Sequence, residues 1–373
     1  MAKKIFCILL AFIMIFSFAA CGKSSANTDA GGPVASDSPD DWVSLDLSFA
    51  TFVGENNPYQ INIITLQKKL DEKMPGKITI TTYPNGTLLG QADIFDGVIN
   101  GTCDIGFVEC DYHVNRLPMC QLVNYPGFNF TSSSSATLVF HEFLKTFKPK
   151  ELDDVVLLYA TCSGPSSFYT IKPVYTMDDI KGKQIVTTGA ILAETLTAWG
   201  AIPVTLDTAD VYEAMRNGLC FGKYGMFGAA AFSNLDDVAS YAAILPVSNY
   251  GFITVMNKNV FNSMPPSQQE AFMEAVDETF REVTIEYQDK GLHVDRVVEC
   301  IKNTKEIVFI EGEALEEFNN ACSYMLDDYV KKLDEMGLDG TGAKQLLMEL
   351  TEKYNKEYSW EEYKAYYNIE NID

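Results

Sequence analysis

Apolar residues follow two patterns along most of this chain, and the two patterns alternate. Segments 45–52, 78–83 and 104–109 alternate or are rich in β-forming residues, which predicts strands. Between them, residues 59–73 carry apolar side chains at helical spacing up to a Met-Pro-Gly turn, and residues 91–100 predict a second helix. This strand–helix–strand order predicts a mostly parallel α/β layer.

The same order returns further along the chain. Residues 155–160, 184–187 and 203–206 predict strands, and residues 191–199 predict a helix closed by a glycine. Residues 207–217 predict another helix, with an aspartate as N-cap and a glycine as C-terminal stop. The two blocks share their pattern and not their sequence, so we expect two separate α/β halves.

A longer helical pattern begins at Pro266. One apolar face continues through Phe272 and Phe280 to Ile301, which as a single helix would span roughly 55 Å and could serve both halves. A kink at Gly291 would fit such a helix to the protein, and two helices broken at Gly291 are an equal alternative. The C-terminus also predicts helix, with a capping box between Ser359 and Glu362.

The N-terminal segment has the pattern of an export signal. Two lysines precede an apolar run over 5–18, which is too short for a comfortable membrane span, and Ala-Ala-Cys21 follows. We therefore predict a lipoprotein signal peptide over residues 1–20, with acyl chains such as palmitate on Cys21. An ordinary signal peptide is the alternative. Residues 21–41 are polar and predict a flexible tether with a reach of ~25 Å on the extracytoplasmic face of the cell membrane.

Composition narrows the possible functions of the folded part. Residues 42–373 are too many for one comfortable core and suit two lobes. The net charge of −23 argues against nucleic acid as a partner, because phosphate binding needs clustered Lys and Arg. Seven cysteines follow Cys21; they sit among apolar neighbours without zinc-type spacing, which predicts buried thiols, although an odd number leaves at least one free or paired between chains.

A search for catalytic motifs finds none. The chain lacks G-x-S-x-G, H-E-x-x-H, a P-loop and G-x-G-x-x-G, and its histidines, His113, His141 and His293, are far apart. Each histidine is predicted to be a surface or capped residue. The sequence therefore predicts a binding protein and not an enzyme, with no metal and no cofactor.

Two regions of the chain resemble one family of binding proteins. The first is GTLLGQADIFDGVINGTCDIGFVEC over 86–110, and the second combines MDDIKGKQIV with WGAIPVTLDTADVYEAMRNGLCFG over 177–222. In order and spacing they resemble the motifs D-[LM]-K-G-x-K-I-R, G-A-x-P-V and E-V-Y-x-A-L-Q-x-G-x-x-D-G of the solute-binding subunits of TRAP transporters, the DctP-like family. The resemblance extends over nearly the whole mature chain.

The resemblance implies an α/β, two-lobed periplasmic-binding-protein-like fold with a hinge and a long lobe-spanning helix. Lobe I would comprise residues 42–163 plus 249–290, and lobe II residues 164–248 plus 291–373. Such a protein captures a small organic solute in the interlobe cleft, as a monomer, and delivers it to the membrane permease subunits of a TRAP-type secondary transporter. The alternatives are a ligand-sensing surface lipoprotein, an ABC-type binding protein and a surface enzyme that reused the fold.

The resemblance also implies where a ligand would bind, and this chain departs from the family there. The Arg that grips a ligand carboxylate in relatives corresponds to Val186, and a neutral residue cannot replace its paired hydrogen bonds. Phe221 replaces the Asp of the D-G pair, and Gly225 a common polar residue. The implied ligand-binding residues are Phe52, Gln91, Glu109, Ser166, Val186, Thr187, Thr188, Thr208, Tyr224 and Gly225.

Several of these residues also have a purely structural interpretation. Val186 suits a buried strand, Thr187 and Thr188 could be turn or cap residues, and Tyr224 could be a core aromatic. With Val186 in place of Arg, we expect weak binding of simple dicarboxylates. We expect instead a neutral, hydroxylated or aromatic ligand, an amine- or hydroxyl-bearing ligand at Glu109, or an acid held by a cation that the motifs do not identify.

Overall fold

The computed structural model describes residues 37–55, 57–206, 208–287, 289 and 294–368. The predicted signal peptide, Cys21 and the tether up to residue 36 lie outside the described residues. The strands are β1 (Leu45–Ala50), β2 (Ile78–Tyr83), β3 (Ile105–Glu109), β4 (Val155–Cys162), β5 (Ser166–Thr170), β6 (Gln184–Val186), β7 (Ile202–Val204), β8 (Gly222–Gly225), β9 (Tyr241–Leu245), β10 (Gly251–Asn257) and β11 (Glu306–Phe309).

Thirteen α-helices accompany these strands within the described ranges. They are α1 (Gln60–Lys73), α2 (Ile94–Asn100), α3 (Ser133–Phe147), α4 (Ala190–Ala198), α5 (Thr208–Arg216), α6 (Phe227–Phe232), α7 (Lys258–Asn262), α8 (Pro266–Tyr287), α9 (Asp295–Asn303), α10 (Gly312–Cys322), α11 (Tyr324–Glu335), α12 (Gly340–Glu357) and α13 (Trp360–Ala365). Over the described part of the chain, none of them is long and apolar enough to cross a membrane.

The strands form two sheets, as the two α/β blocks predicted. The first sheet has the order β2-β1-β3-β10-β4, with β1 parallel to β2 and β3 and with β10 antiparallel to β3 and β4. The second has the order β11-β9-β5-β8-β6-β7, in which β6 is parallel to both β7 and β8. Central strands β3, β5, β8 and β10 are buried along their whole length, which suits the largely apolar sequences of β3 and β10.

Two of the passages of the chain between the sheets run through neighbouring segments. The chain leaves the first sheet after β4 and returns between β9 and β10. The two crossings are hydrogen-bonded to each other: the Ser163 amide donates to the Tyr250 carbonyl (2.9 Å), and the Ser166 amide donates to the Ser248 carbonyl (3.1 Å). A bend at these paired segments would therefore change the angle between the sheets without breaking either one.

The long helical pattern from Pro266 forms two helices. Helix α8 packs against α1 beside the first sheet, whereas α9 packs against α6 on the second. Val294, immediately before α9, has an extended backbone (φ −61°, ψ 131°), so one continuous lobe-spanning helix does not describe this segment. Gly291, the predicted kink, lies outside the described residues. The two-helix alternative therefore fits, because each helix buries its apolar face against a different half.

Two C-terminal helices pack on the first half, although Met325 at the start of α11 also accepts a hydrogen bond from Thr195 of α4 (3.7 Å). Helix α12 contacts α3, and Tyr329 of α11 stacks on Tyr125 with ring centroids 4.3 Å apart. The predicted assignment of residues 291–373 to lobe II does not fit these helices, because an apolar helix face does not specify its partner. Helix α13 returns to the second half, where Tyr367 packs against Phe227 (5.4 Å). The other lobe boundaries stay a prediction.

The burial of the cysteine thiols was predicted correctly, whereas the surface position of the histidines was not. All seven cysteines after Cys21 are buried, and none of them forms a disulfide with another described residue: Cys103, Cys110, Cys120, Cys162, Cys220, Cys300 and Cys322. His113 and His141 are buried instead of lying on the surface. His141 Nδ1 accepts a hydrogen bond from the Ala160 amide (3.2 Å), and its ring lies 3.8 Å from that of Phe280. These partners satisfy a neutral imidazole in the core. His293 lies outside the described residues.

Candidate functional site

A cavity of about 750 Å³ is lined by residues of both halves. It lies beside the two chain crossings, because Ser163, Gly164 and Pro165 form part of its wall. The first half contributes the segment after β1, the start of α1 and the end of β3. The second half contributes the segment before α4, strand β8 and helix α6. A solute in this cavity would contact both sheets at once.

Glu109 is the charged group of the first wall. It ends β3, is 7% exposed and lines the cavity. Its Oε2 accepts a hydrogen bond from the Gln91 side-chain amide at 2.7 Å, whereas Oε1 has no hydrogen-bond partner among the described residues. Burial raises the pKa of Glu109, the nearby charge of Asp111 adds to this, and the Gln91 hydrogen bond opposes it, with the result that the pKa is about 8. Glu109 is therefore largely protonated at neutral pH.

A second buried acid, Asp111, lies between the two halves. Its Oδ1 accepts a hydrogen bond from the Asn124 side chain at 2.6 Å, and its Oδ2 is buried without a partner in the described part of the chain. A Cβ atom built on Gly189, at the start of α4 in the other half, would lie 2.7 Å from Oδ2. Burial raises the pKa of Asp111 to about 6. Gly189 thus permits the close approach of the two halves at this point.

Aromatic rings form the apolar part of the first wall. Phe52 stacks on Phe107 with centroids 5.5 Å apart, and Tyr59 packs against the same ring at 5.3 Å. Phe52 and Tyr59 both line the cavity, with Phe107 behind them in β3. Such a surface can cover a flat or apolar part of a solute.

Lys223 is the charged group of the second wall. It lies in the buried strand β8, is 8% exposed and lines the cavity. Its ammonium group makes no hydrogen bond or ion pair with any described residue, and burial lowers the pKa of Lys223 below its usual value. A buried cation without a counterion is costly to maintain unless a ligand supplies one.

The structure brings four of the ten predicted ligand-binding residues to the cavity wall: Phe52, Gln91, Glu109 and Thr188. The Thr188 hydroxyl also lies 3.2 Å from the Tyr250 hydroxyl, so it joins the segment before α4 to the chain crossing. Direct contact of these four side chains with a ligand stays a prediction.

Five others are placed behind the wall. Ser166 donates its hydroxyl hydrogen bond to the Ser248 carbonyl (2.8 Å) at the crossing, and Tyr224 lies in the core against Phe168. Val186 is fully buried, as its strand interpretation suggested, and the Thr187 hydroxyl is buried without a partner among the described residues.

Gly225 faces the Tyr250 hydroxyl, which would lie 3.1 Å from an added Cβ. A side chain at this position would be crowded by the Tyr250 hydroxyl and strained by the positive φ of 156°. Thr208 begins α5, but its side chain lies outside the described residues.

Lys223 was not among the predicted ligand-binding residues. In this part of the chain, the family's motif drew attention only to positions 221 and 225, where the residues differ from those expected. A local signal was present: Lys223 stands in the otherwise uncharged stretch LCFGKYGMF, and lysine is rarely buried without a partner. In the sheet, Lys223 pairs in register with Val186 of the neighbouring strand β6. A cation thus lies one strand away from the position of the family's Arg.

Two α/β halves, joined by paired crossings around one cavity, define a two-lobed solute-binding protein. A family model described as bacterial extracellular solute-binding protein, family 7 (DctP), matches residues 49–333, and the chain belongs to this family. It is therefore an extracytoplasmic solute-binding protein of the TRAP type. Members of this family are solute-binding receptors and not enzymes. No group of metal-ligating side chains occurs among the described residues.

Solved structures and curated relatives agree with this assignment. A TRAP periplasmic solute-binding protein from Desulfovibrio salexigens is 27% identical, with a TM-score of 0.75 over 84% of this chain and 97% of that one. One from Rhodoferax ferrireducens, in complex with copurified benzoate, is 20% identical, with a TM-score of 0.74 over 85% of this chain and 100% of that one. The C4-dicarboxylate-binding protein DctB of Bacillus subtilis is 20% identical over 62% of this chain and 67% of its own length.

Proposed function

We propose that this protein is a monomeric lipoprotein, anchored through Cys21, that captures a small organic solute and delivers it to the permease subunits of a TRAP transporter. The observation that carries this proposal is the cavity of about 750 Å³ lined by both halves beside the chain crossings. This volume lies within the range of small-molecule sites. The signal-like N-terminal sequence and the polar segment up to residue 41 support the anchor.

Capture follows from the position of the two crossings. A ligand that contacts Glu109 on one wall and Lys223 on the other stabilises the closed arrangement by contacts that the open one lacks. Bending at the paired segments around Ser163 and Ser248 would bring the walls together. Aromatic rings at Phe52 and Tyr59 would exclude water from the bound solute.

The replacement of the family's carboxylate-binding Arg by Val186 supports a proposal about which solutes bind weakly. Because Val186 is buried and apolar, a simple dicarboxylate loses the paired hydrogen bonds that an Arg would supply. We therefore propose that succinate and malate bind weakly. The bound solute would carry other groups besides carboxylates, such as hydroxyl, amine or aromatic groups.

Closure can be tested on the whole exported protein. The solute that copurifies with it would be identified by mass spectrometry, removed by partial unfolding and refolding, and then added back. X-ray scattering should show a smaller radius of gyration with the solute than without it. Unchanged dimensions at saturation would contradict capture by closure.

The anchor and the delivery step need separate measurements. Cys21→Ser should release the protein from the membrane fraction, whereas Cys220→Ser, at a buried thiol, should leave it membrane-bound. Deletion of the permease genes should abolish uptake of the copurified solute. Uptake that continues without the permease would favour the sensing alternative.

A further inference from the structure

Two buried ionisable side chains, Glu109 and Lys223, line the cavity from opposite walls, and neither has a counterion among the described residues. Glu109 ends a strand of the first sheet, and Lys223 lies in a strand of the second. The causes of the raised Glu109 pKa include no cation, and those of the lowered Lys223 pKa include no carboxylate. The two groups therefore do not neutralise each other in this structure.

The remaining hydrogen-bonding capacity of Glu109 points to a donor. Gln91 already donates to Oε2 and fixes the carboxyl group. Because Oε1 has no partner in the described chain, it can accept a hydrogen bond from a solute once Glu109 has lost its proton. A cationic nitrogen would both donate this bond and compensate the charge of an ionised Glu109.

The surroundings of Lys223 point to an acceptor. Its in-register neighbours Val186 and Tyr169 are buried in an apolar cluster, so neither provides a negative charge. A ligand carboxylate is the complementary partner for a buried ammonium group.

We infer that the solute is a zwitterion, whose carboxylate binds Lys223 and whose cationic nitrogen binds Glu109. This inference rests on the proposed function and specifies its substrate class.

Other ligand classes leave one of the two groups unsatisfied. A dicarboxylate would bring a second negative charge towards Glu109 and Asp111, and a simple amine would leave Lys223 without a counterion. A neutral polyol could hydrogen-bond both groups but would compensate no charge. Only a zwitterion provides opposite charges for both walls, which makes it the class that this site selects.

The first test is a competition among matched solutes. The full-length protein, freed of its copurified solute, would be incubated with an equimolar mixture of α-amino acids, betaines, their nitrogen-free acids, their decarboxylated amines and polyols. Retained solutes would be identified by mass spectrometry and titrated singly by calorimetry. We expect zwitterions to be retained with at least about 10-fold preference over each nitrogen-free acid.

Two variants assign the two ends of the solute. Lys223→Met should weaken binding of the retained zwitterion about 100-fold or more, and Glu109→Gln about 10-fold. Glu109→Gln should also reduce the preference over the matched nitrogen-free acid to near unity. Lys172→Met and Asp154→Asn are the matched controls: each removes an exposed charge of the same sign as the one removed at Lys223 or Glu109. Both variants should bind like the wild type. Thermal melts of each variant would establish that it is folded.

The outcomes separate this inference from the proposed function. Preferred retention of a nitrogen-free acid, an amine or a polyol, together with closure, would overturn the inference and leave the receptor function intact. Equal loss of zwitterion and nitrogen-free acid in Glu109→Gln would also overturn it. A wild-type protein that retains none of these solutes and does not close with its copurified one would contradict both.

Discussion

The two walls of the cavity hold their charges in different ways. On the first wall, Glu109 receives a hydrogen bond from Gln91 and is followed by a second acid, Asp111, which Asn124 holds. On the second wall, Lys223 has no polar partner among the described residues. The first wall is thus arranged before a ligand arrives, whereas the second depends on the ligand for its counterion. We infer that the carboxylate of the solute supplies the larger part of the binding free energy.

Reversing the charge of the second wall should have the largest effect. Lys223→Glu would place a carboxylate against the ligand carboxylate in place of the ammonium group, and we expect acidic solutes to bind at least several hundred-fold more weakly. Calorimetry against the copurified solute would measure this loss. Retained binding within 10-fold would show that Lys223 does not face the ligand carboxylate.

The next largest effect should be a loss of stability at acid pH, caused by the protonation of a buried histidine in the first half. Burial and the charge of Lys145 lower the pKa of His141 in the first half, and Asp277 and Glu142 oppose this, with the result that the pKa is about 4. The unfolded chain binds this proton near pH 6.5 and the folded chain only near 4, so stability is lost as pH falls between these values. We expect a loss of roughly 2 kcal/mol from this group.

Urea unfolding from pH 7 to pH 4 would measure this loss. In His141→Asn, an amide oxygen can replace Nδ1 as acceptor for the Ala160 amide, so the variant should be less stable at pH 7 but show a shallower pH slope. His113, buried and with a lowered pKa as well, adds a slope of the same sign in both proteins. An unchanged slope in the variant would show that His141 is not the group responsible.

Glu109 should release a proton when a cationic solute binds. With a pKa of about 8, it is mostly protonated at pH 7 in the empty site, and a bound ammonium group would ionise it. Tyr59 and Tyr250 face the same region and stay neutral, because burial raises the pKa of each above its usual value. Calorimetry at pH 7 in buffers of different ionisation enthalpy should show a release of about one proton, which Glu109→Gln abolishes. Equal release in Glu109→Gln would assign the proton elsewhere.

The strength of local signals explains how much the sequence predicted. Strand β2 was predicted with its observed bounds. Apolar and polar residues alternate along Ile78–Tyr83, a turn precedes this segment, and Pro-Asn-Gly ends it. The helix break before Val294 and the packing of α12 on α3 depend on distant partners, which periodicity does not contain. Within the site, the positions of Glu109 and Gln91 at the cavity wall were predictable because both residues lie in the first family motif, and Glu109 also ends strand β3. Lys223 was missed because its importance comes from the sheet pairing that places it beside Val186.

The smallest predicted effect concerns the contact between the two halves at Gly189. A Cβ there would lie 2.7 Å from Asp111 Oδ2, whereas Gly182, which also has a positive φ, has nothing within 4 Å of its Cβ position. Both substitutions by Ala pay the strain of a left-handed backbone, of order 1 kcal/mol, and should lower the melting temperature similarly. Only Gly189→Ala should also obstruct the approach of α4 to Asp111. We therefore expect its affinity for the copurified solute to fall about 5-fold relative to Gly182→Ala, with a larger radius of gyration at saturation, since an obstruction of about 1 kcal/mol corresponds to that factor. Equal affinities of the two variants would show that the halves do not need this contact to close.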